Sequence, residues 1–400
     1  MSRYNEVFRA ESGWKAFILS IVTFGLSYGL YKGILDNYLA EIVSMGELGR
    51  GITEFFRELP GLALVFILAI LYMFSAEKIY RIGAVIMLLG MGMQAAIPPT
   101  RVLATIAIFI YSLGDHMQLG MRNTLSLEYA KEGHSGAALG LQNATHQIGM
   151  LTGYLLVIAV LFFLPGNLTT YRLIFAASAV IILIGTVGTL KMEGNSAQDA
   201  NKRRFYFHKK YRKYYMLEIF YGARKQIFLT FGPYVLVLFY GANAKVISTL
   251  FAVTAVTSYF MAPVIGKIID RIGYKAVMIT DTLILVIVCF FYGFAHHFFS
   301  MHTAFIVCCV NYVLDSIISM ASMAANVYVQ DLSDNSDEVR ATISTGVSVN
   351  HLITILIALF GGWIWQSLGI ETLFILSAIL GLCNSAYAAT IKPVKKEIKE

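Results

Sequence analysis

Long apolar runs alternate with short polar breaks along the whole chain, and none shows the period-two alternation of a membrane barrel strand. The runs fall at 15–39, 52–75, 80–97, 102–128, 137–164, 170–191, 214–240, 246–268, 275–297, 302–329, 340–366 and 369–391. A helix needs about 20 apolar residues to cross a hydrocarbon core of about 30 Å, and the runs meet that length. Between the sixth and seventh lies the most polar segment, where Lys202, Arg203, Arg204, Lys209, Lys210 and Arg212 face only Glu193 and Asp199. The pattern predicts an all-α membrane protein of twelve transmembrane helices. It divides into a six-helix bundle over 1–191, a basic linker over 192–213 and a second six-helix bundle over 214–400.

Composition and charge sharpen this picture. Hydrophobic residues make up 57% of the chain and charged ones 14%, about half the roughly 25% of a soluble domain. Lys and Arg crowd the linker, the 266–275 loop and the tail from Lys392 to Lys396, whereas the opposite loops hold Arg50, Arg101, Arg172 and Lys245. Cationic loops stay in the cytoplasm, so both termini are expected there, with the protein in a membrane of the bacterial inner type. The net charge of +7 then orients the chain and favours anionic lipid headgroups, and nucleic acid is not an expected partner. The four cysteines, Cys289, Cys308, Cys309 and Cys383, lie within apolar runs and suggest no disulfide framework. His296-His297 sits at a span end and Cys308-Cys309 lacks a second pair, so no metal site is expected. No cofactor is implied, and the absence of a nucleophile elbow, phosphate loop or zinc-protease helix argues against an enzyme. The chain is expected to act as a monomer.

An internal repeat supports two parallel halves. Gly266-Lys267-Ile268-Ile269-Asp270-Arg271-Ile272-Gly273-Tyr274-Lys275 joins the eighth and ninth spans, and Ala76-Glu77-Lys78-Ile79-Tyr80-Arg81-Ile82-Gly83 joins the second and third. A second echo pairs Tyr28-Gly29-Leu30-Tyr31-Lys32 with Tyr221-Gly222-Ala223-Arg224-Lys225. The 266–275 segment matches the cytoplasmic motif G-x-x-x-D-R-x-G-x-K/R, and on it and the six-plus-six layout the chain resembles a major facilitator superfamily transporter over essentially its whole length. The resemblance implies a gating role for Gly266, Asp270, Arg271 and Gly273, with Arg340 as the partner of Asp270. In the first half Ala76 and Tyr80 replace the motif's Gly and Asp, leaving Arg81 and Gly83. The alternative is that Asp270 and Arg271 are solvated loop charges that only enforce topology. In the fifth span, Gly149-Met150-Leu151-Thr152-Gly153 keeps the spacing for close helix packing but lacks the proline common in drug antiporters of that superfamily.

In that superfamily the first, fourth, seventh and tenth spans line the central cavity, with help from the fifth and eleventh, and the intramembrane polar residues fall on those spans. The resemblance implies a substrate site from Tyr28, Lys32, Arg122, Gln142, His146, Tyr221, Arg224, Lys225, Asn311 and His351. Asp115, Glu218 and Asp315 are the candidates for proton coupling, since burial and nearby cations pull a carboxyl's proton affinity in opposite directions. Asp36, near the outer end of its span, reads equally as an interfacial charge, and Glu54, Arg57 and Glu58 as an exposed ion pair at the outer mouth. His146 and His351 also fit hydrogen-bonded packing roles, and the three acids also fit simple neutralisation of Arg122, Arg224 and Lys225.

Four central cations would repel a purely cationic solute through a weakly screened space, which favours an anion or zwitterion. Arg suits bidentate contact with a carboxylate or phosphate, and Lys acts as a point charge. The leading expectation is a proton-coupled secondary transporter of a small organic anion or zwitterion. The alternatives are an efflux pump for amphipathic compounds and a non-transporting receptor or lipid-handling protein on the same fold.

Overall fold

Helices begin where the sequence supplies a capping side chain between two apolar runs. The side chains of Ser75, Thr100, Asn167 and Ser300 accept from the backbone N–H three residues on, at 3.4, 3.3, 3.0 and 3.3 Å, satisfying donors that a helix start leaves orphaned. The structure is a computed structural model that describes residues 2–10, 13–71, 73–192 and 207–392, without the side chains at 2, 3, 65, 69, 336, 337 and 340. Linker residues Lys202, Arg203 and Arg204, tail residues Lys395 and Lys396, and the side chain of Arg340 lie outside the described residues.

Among the described residues twelve long helices follow one another. They are α1 (Trp14–Asn37, extended by a π turn over Tyr38–Ile42), α2 (Glu47–Ile70), α3 (Ala76–Ala96), α4 (Arg101–Tyr129), α5 (Ser135–Phe163) and α6 (Leu168–Thr189). Then come α7 (Arg212–Leu238), α8 (Ala244–Ile272), α9 (Tyr274–Phe298) and α10, which runs from Met301 through a 3-10 turn at Ser319–Ser322 to Leu332. The last two, α11 (336–368) and α12 (370–389), are separated only by Gly369 at φ 89°. Among the described residues nine helical stretches are long and apolar enough to cross a membrane, the last holding both α11 and α12; α2 and α7 are outside this set. Those two carry the densest intrahelical charge: Glu47, Arg50, Glu54, Arg57 and Glu58 on α2, and Arg212, Lys213, Glu218, Arg224 and Lys225 on α7.

Backbone packing divides the described residues into two units, one of residues up to 45, 56–192 and 242–252, the other of 46–55, 207–241 and 253–392. In the first unit α1 and α5 cross with almost no side chain between them. A Cβ on Gly29 would lie 2.2 Å from the Met150 carbonyl oxygen, and one on Gly153 would lie 2.5 Å from that of Leu26. Gly25 and Gly149 repeat this closeness one turn away, so the Gly-x-x-x-Gly spacing of α5 meets a matching spacing on α1. Without water to drive association in hydrocarbon, such close backbone packing supplies much of the attraction between helices.

The second unit uses the same device differently. Gly222 on α7 faces the Asn350 amide of α11 and Gly361 faces Phe231, while Gly362 lies against Gly51 at the start of α2. Apolar side chains such as Leu283, Ile284, Ile287 and Phe290 on α9 and Val180, Leu183, Ile184 and Val187 on α6 are exposed, as a lipid-facing surface requires.

Replacing Gly153 by valine is expected to destabilise the purified protein by at least about 1–3 kcal/mol, the usual cost of overpacking. Gly92, with open space around it, should tolerate alanine without loss. Thermal unfolding in detergent compares the two.

Candidate functional site

In the first unit the polar stripe of α4 is split between two neighbours. Gln118 is buried against α3, with Tyr80 O at 3.4 Å from its amide nitrogen. Arg122 turns toward α5, where Gln142 is fully buried. With the Gln142 amide assigned by its hydrogen bonds, its oxygen accepts from Arg122 Nε at 3.1 Å and its nitrogen donates to Ser126 Oγ at 2.7 Å. That fixes the guanidinium by one edge, while its two Nη groups make no hydrogen bond among the described residues.

Asp115, two turns along α4 and half-buried, makes no hydrogen bond or ion pair among the described residues. It lies in the field of His116, Arg122 and Arg57, with Glu58 opposing. His116 itself is held on its own helix, its Nδ1 3.1 Å from Ser112 Oγ. Tyr28 and His146 sit side by side, ring centroids 6.5 Å apart, where α1 meets α5, and Arg122 is in electrostatic reach of His146.

Lys32 has a different place from the one its sequence position suggests. Its ammonium pairs with the fully buried Asp36 at 3.0 Å and stands 5.2 Å over the Phe251 ring, so its charge is already neutralised. Asp36 is accordingly an interior charge and not an interfacial one. Glu54 is also interior: with Arg50 it forms a buried pair at 2.8 Å, joined by Gln226 at 3.0 Å. Glu58 pairs with Arg57 and is itself buried, which corrects the expectation of an exposed ion pair.

The second unit centres on α7. Arg224 is 1% exposed, which turns it into the bundle interior: Nη1 reaches Asp315 Oδ1 at 3.5 Å, and Nη2 is buried without a partner. Asp281 on α9 lies in the field of Arg224, and the Arg224 stem packs near Gly381 of α12. Lys225, one residue on, is half-buried, stands 5.7 Å over the Tyr221 ring and has no ion pair among the described residues. Tyr221 donates to the Ser319 carbonyl at 2.8 Å, where the 3-10 turn interrupts α10. A short 3-10 stretch inside a helix often marks a hinge. Glu218 accepts from Asn350 Nδ2 at 3.2 Å, tying α7 to α11.

Glu218 and Tyr221 border a small cleft that Asp281, Ser322 and Asn384 also line. Asp281 and Asn384 were not expected, because α9 and α12 are not among the spans that the resemblance assigns to the cavity. Their signal was available as an isolated acid and an isolated amide within apolar runs. Asn311 donates to Val307 O at 2.8 Å on its own helix, and His351 is half-buried on α11.

The loop motifs behave unequally. Gly273 at φ 84° ends α8 in the left-handed conformation that glycine adopts without strain, and Asp270 and Arg271 are exposed. In the first half Arg81 donates to Thr189 O at 2.8 Å and caps the end of α6, while Gly83 lets α3 approach the Gly114 backbone of α4. Gly266 has open space around it.

Asp315→Ala leaves Arg224 buried beside a lost acid and is expected to cost about 3–5 kcal/mol. The paired change Arg224→Met with Asp315→Leu should recover most of that loss. Apparent melting temperatures of the three proteins decide the point.

The family model described as Major Facilitator Superfamily matches residues 214–399. No curated protein matches the chain. Solved structures similar to it include the nucleoside transporter NupG, with 17% identity over 95% of this chain and 99% of that one and a TM-score of 0.72. The D-xylose-proton symporter matches at 14% identity over 96% and 98% of the two chains, TM-score 0.72. A POT family transporter in complex with 5-aminolevulinic acid matches at 10% identity over 94% of each, TM-score 0.71. What these three share with the chain is its fold. The family model thus covers the second half of the chain, and nearly the whole length of the chain takes the fold of these solved structures.

Proposed function

We propose that the chain moves a small organic anion or zwitterion by alternating access, coupled to protons, with the linker side of both bundles in the cytoplasm. The observation that carries the reading is the difference between two sets of cations. Lys32, Arg50 and Arg224 each have a carboxylate within ion-pair distance, whereas Arg122 and Lys225 have none among the described residues. A half-buried cation without a counter-ion costs free energy unless a ligand supplies the opposite charge. Arg122, held by its Nε, presents its Nη fork to a carboxylate or phosphate, and Lys225 offers a point charge. Tyr28, Gln142 and His146 supply polar contacts in the first unit, Tyr221, Asn311 and His351 in the second.

Proton coupling rests on Asp115, whose carboxyl has no hydrogen bond to hold either protonation state, with Glu218 and Asp315 as the acids of the second unit. The fold is one that a D-xylose-proton symporter also uses. The loop residues Gly266, Asp270, Arg271 and Gly273, with Arg340, Arg81 and Gly83, are assigned to gating of the linker side.

Proteoliposomes with a trapped pH dye, offered a panel of amino acids, dipeptides and mono- and dicarboxylates, test the proposal. At least one of these solutes should drive proton movement, and Asp115→Asn should abolish it. Arg122→Ala or Lys225→Ala should weaken binding of that solute about 10- to 150-fold, the loss of one charge-assisted contact. Signals from lipophilic cations alone, or indifference to Asp115→Asn, would overturn the reading.

A further inference from the structure

At the end of the second bundle opposite the linker, three potential metal ligands converge from two helices. His296 and His297 close α9, and Glu371 lies in the first turn of α12. His296 Nε2 and His297 Nε2 approach the same carboxylate oxygen, Glu371 Oε1, at 3.2 and 2.8 Å, and the three ligand atoms all lie within 4.8 Å of one another. A tetrahedral zinc site with bonds of about 2.0–2.2 Å places neighbouring ligand atoms about 3.3–3.6 Å apart, so the two N···O separations here would widen slightly to admit the ion.

Three further features bear on the cluster. Gly369 reverses the chain between α11 and α12 at φ 89°, and a Cβ there would lie 2.7 Å from Glu371 Oε2. This glycine therefore permits the turn and leaves room for the carboxylate. The Nδ1 of His296 is buried without a partner, so Nε2 is the nitrogen this ring has to offer. The two imidazole rings stand only 4.1 Å apart between centroids at the carbonyl end of a helix, where positive charge is favoured.

The geometry points to a Zn²⁺-class site formed by His296, His297 and Glu371 that pins the end of α9 to the start of α12. Two imidazoles and one carboxylate suit a borderline ion and not Mg²⁺ or Ca²⁺, which take oxygen ligands. With His297 half exposed, the fourth position is open to water or to an external ligand.

The test uses tag-free, EDTA-stripped, full-length protein in detergent, titrated with ZnCl₂ and, separately, MgCl₂. Expected are one Zn²⁺ retained per chain by elemental analysis and a rise in melting temperature of about 5 °C at a hundredfold excess over Kd. MgCl₂ should give neither. Co²⁺ in place of Zn²⁺ should show the intense visible absorption of a tetrahedral site. His297→Ala, at a half-exposed position, and Glu371→Gln should each weaken Zn²⁺ binding at least tenfold, and His302→Ala should leave it unchanged. Undiminished Zn²⁺ binding in His297→Ala, or no binding by the parent protein at micromolar Zn²⁺, would overturn the site.

Discussion

A charged side chain taken out of water costs more than any single contact returns, and this constraint organises the interior of both bundles. Arg50, Arg224 and Asp36 are all but fully buried, and each is placed against an opposite charge supplied from its own helix or from a neighbour. The partners come in two kinds. Lys32–Asp36 and Arg50–Glu54 are i, i+4 pairs that a helix brings together by itself. Arg224–Asp315 joins α7 to α10, so its formation depends on how those helices pack. The second kind couples charge to conformation, because breaking it exposes two ions to an environment that cannot solvate them.

Helix packing provides the rigid frame for these charges. In the first unit the glycines of α1 and α5 bring two backbones into contact, which fixes α5 and hence Gln142, the residue that orients Arg122. In the second unit the corresponding glycine on α7, Gly222, meets an asparagine and not a glycine, and Asn350 is also the donor to Glu218. One repeated sequence, Tyr-Gly-x-x-Lys, thus yields a packing seam in one half and a polar seam in the other. Tyr31 on α1 meets the Tyr111 ring with centroids 4.6 Å apart, where its counterpart Arg224 on α7 meets an acid.

The twelve helices were legible in the sequence because an apolar run in hydrocarbon has only one way to satisfy its backbone. The Gly149–Gly153 spacing likewise announced a close crossing. Lys32 and Lys225 occupy equivalent places in the repeat, and the sequence does show that only Lys32 has an acid one turn away; what it does not show is how deeply each charge is buried. Arg224 read as a cavity cation because its neighbour Lys225 shares its charge, whereas one residue of helix rotates a side chain by about 100° and sends it into the bundle. Asp281, Asn384 and Glu371 escaped notice for a third reason, which is that their partners lie on other elements. The Glu371 contact with His297 spans 74 residues, a separation no local pattern encodes.

Arg122 in the first unit and Lys225 in the second are the two cations proposed to take an anionic group of a ligand. Ligands that bind the native state raise its melting temperature by mass action, by about 2.7 kcal/mol of stability at a hundredfold excess over Kd. The most direct measurement is therefore a thermal-stability screen of the purified protein over organic anions, zwitterions and lipophilic cations. Stabilisation by one or more anions or zwitterions is expected, lost when Arg122 and Lys225 are both neutralised. Stabilisation by lipophilic cations alone, or by anions equally in the doubly neutralised protein, would contradict it.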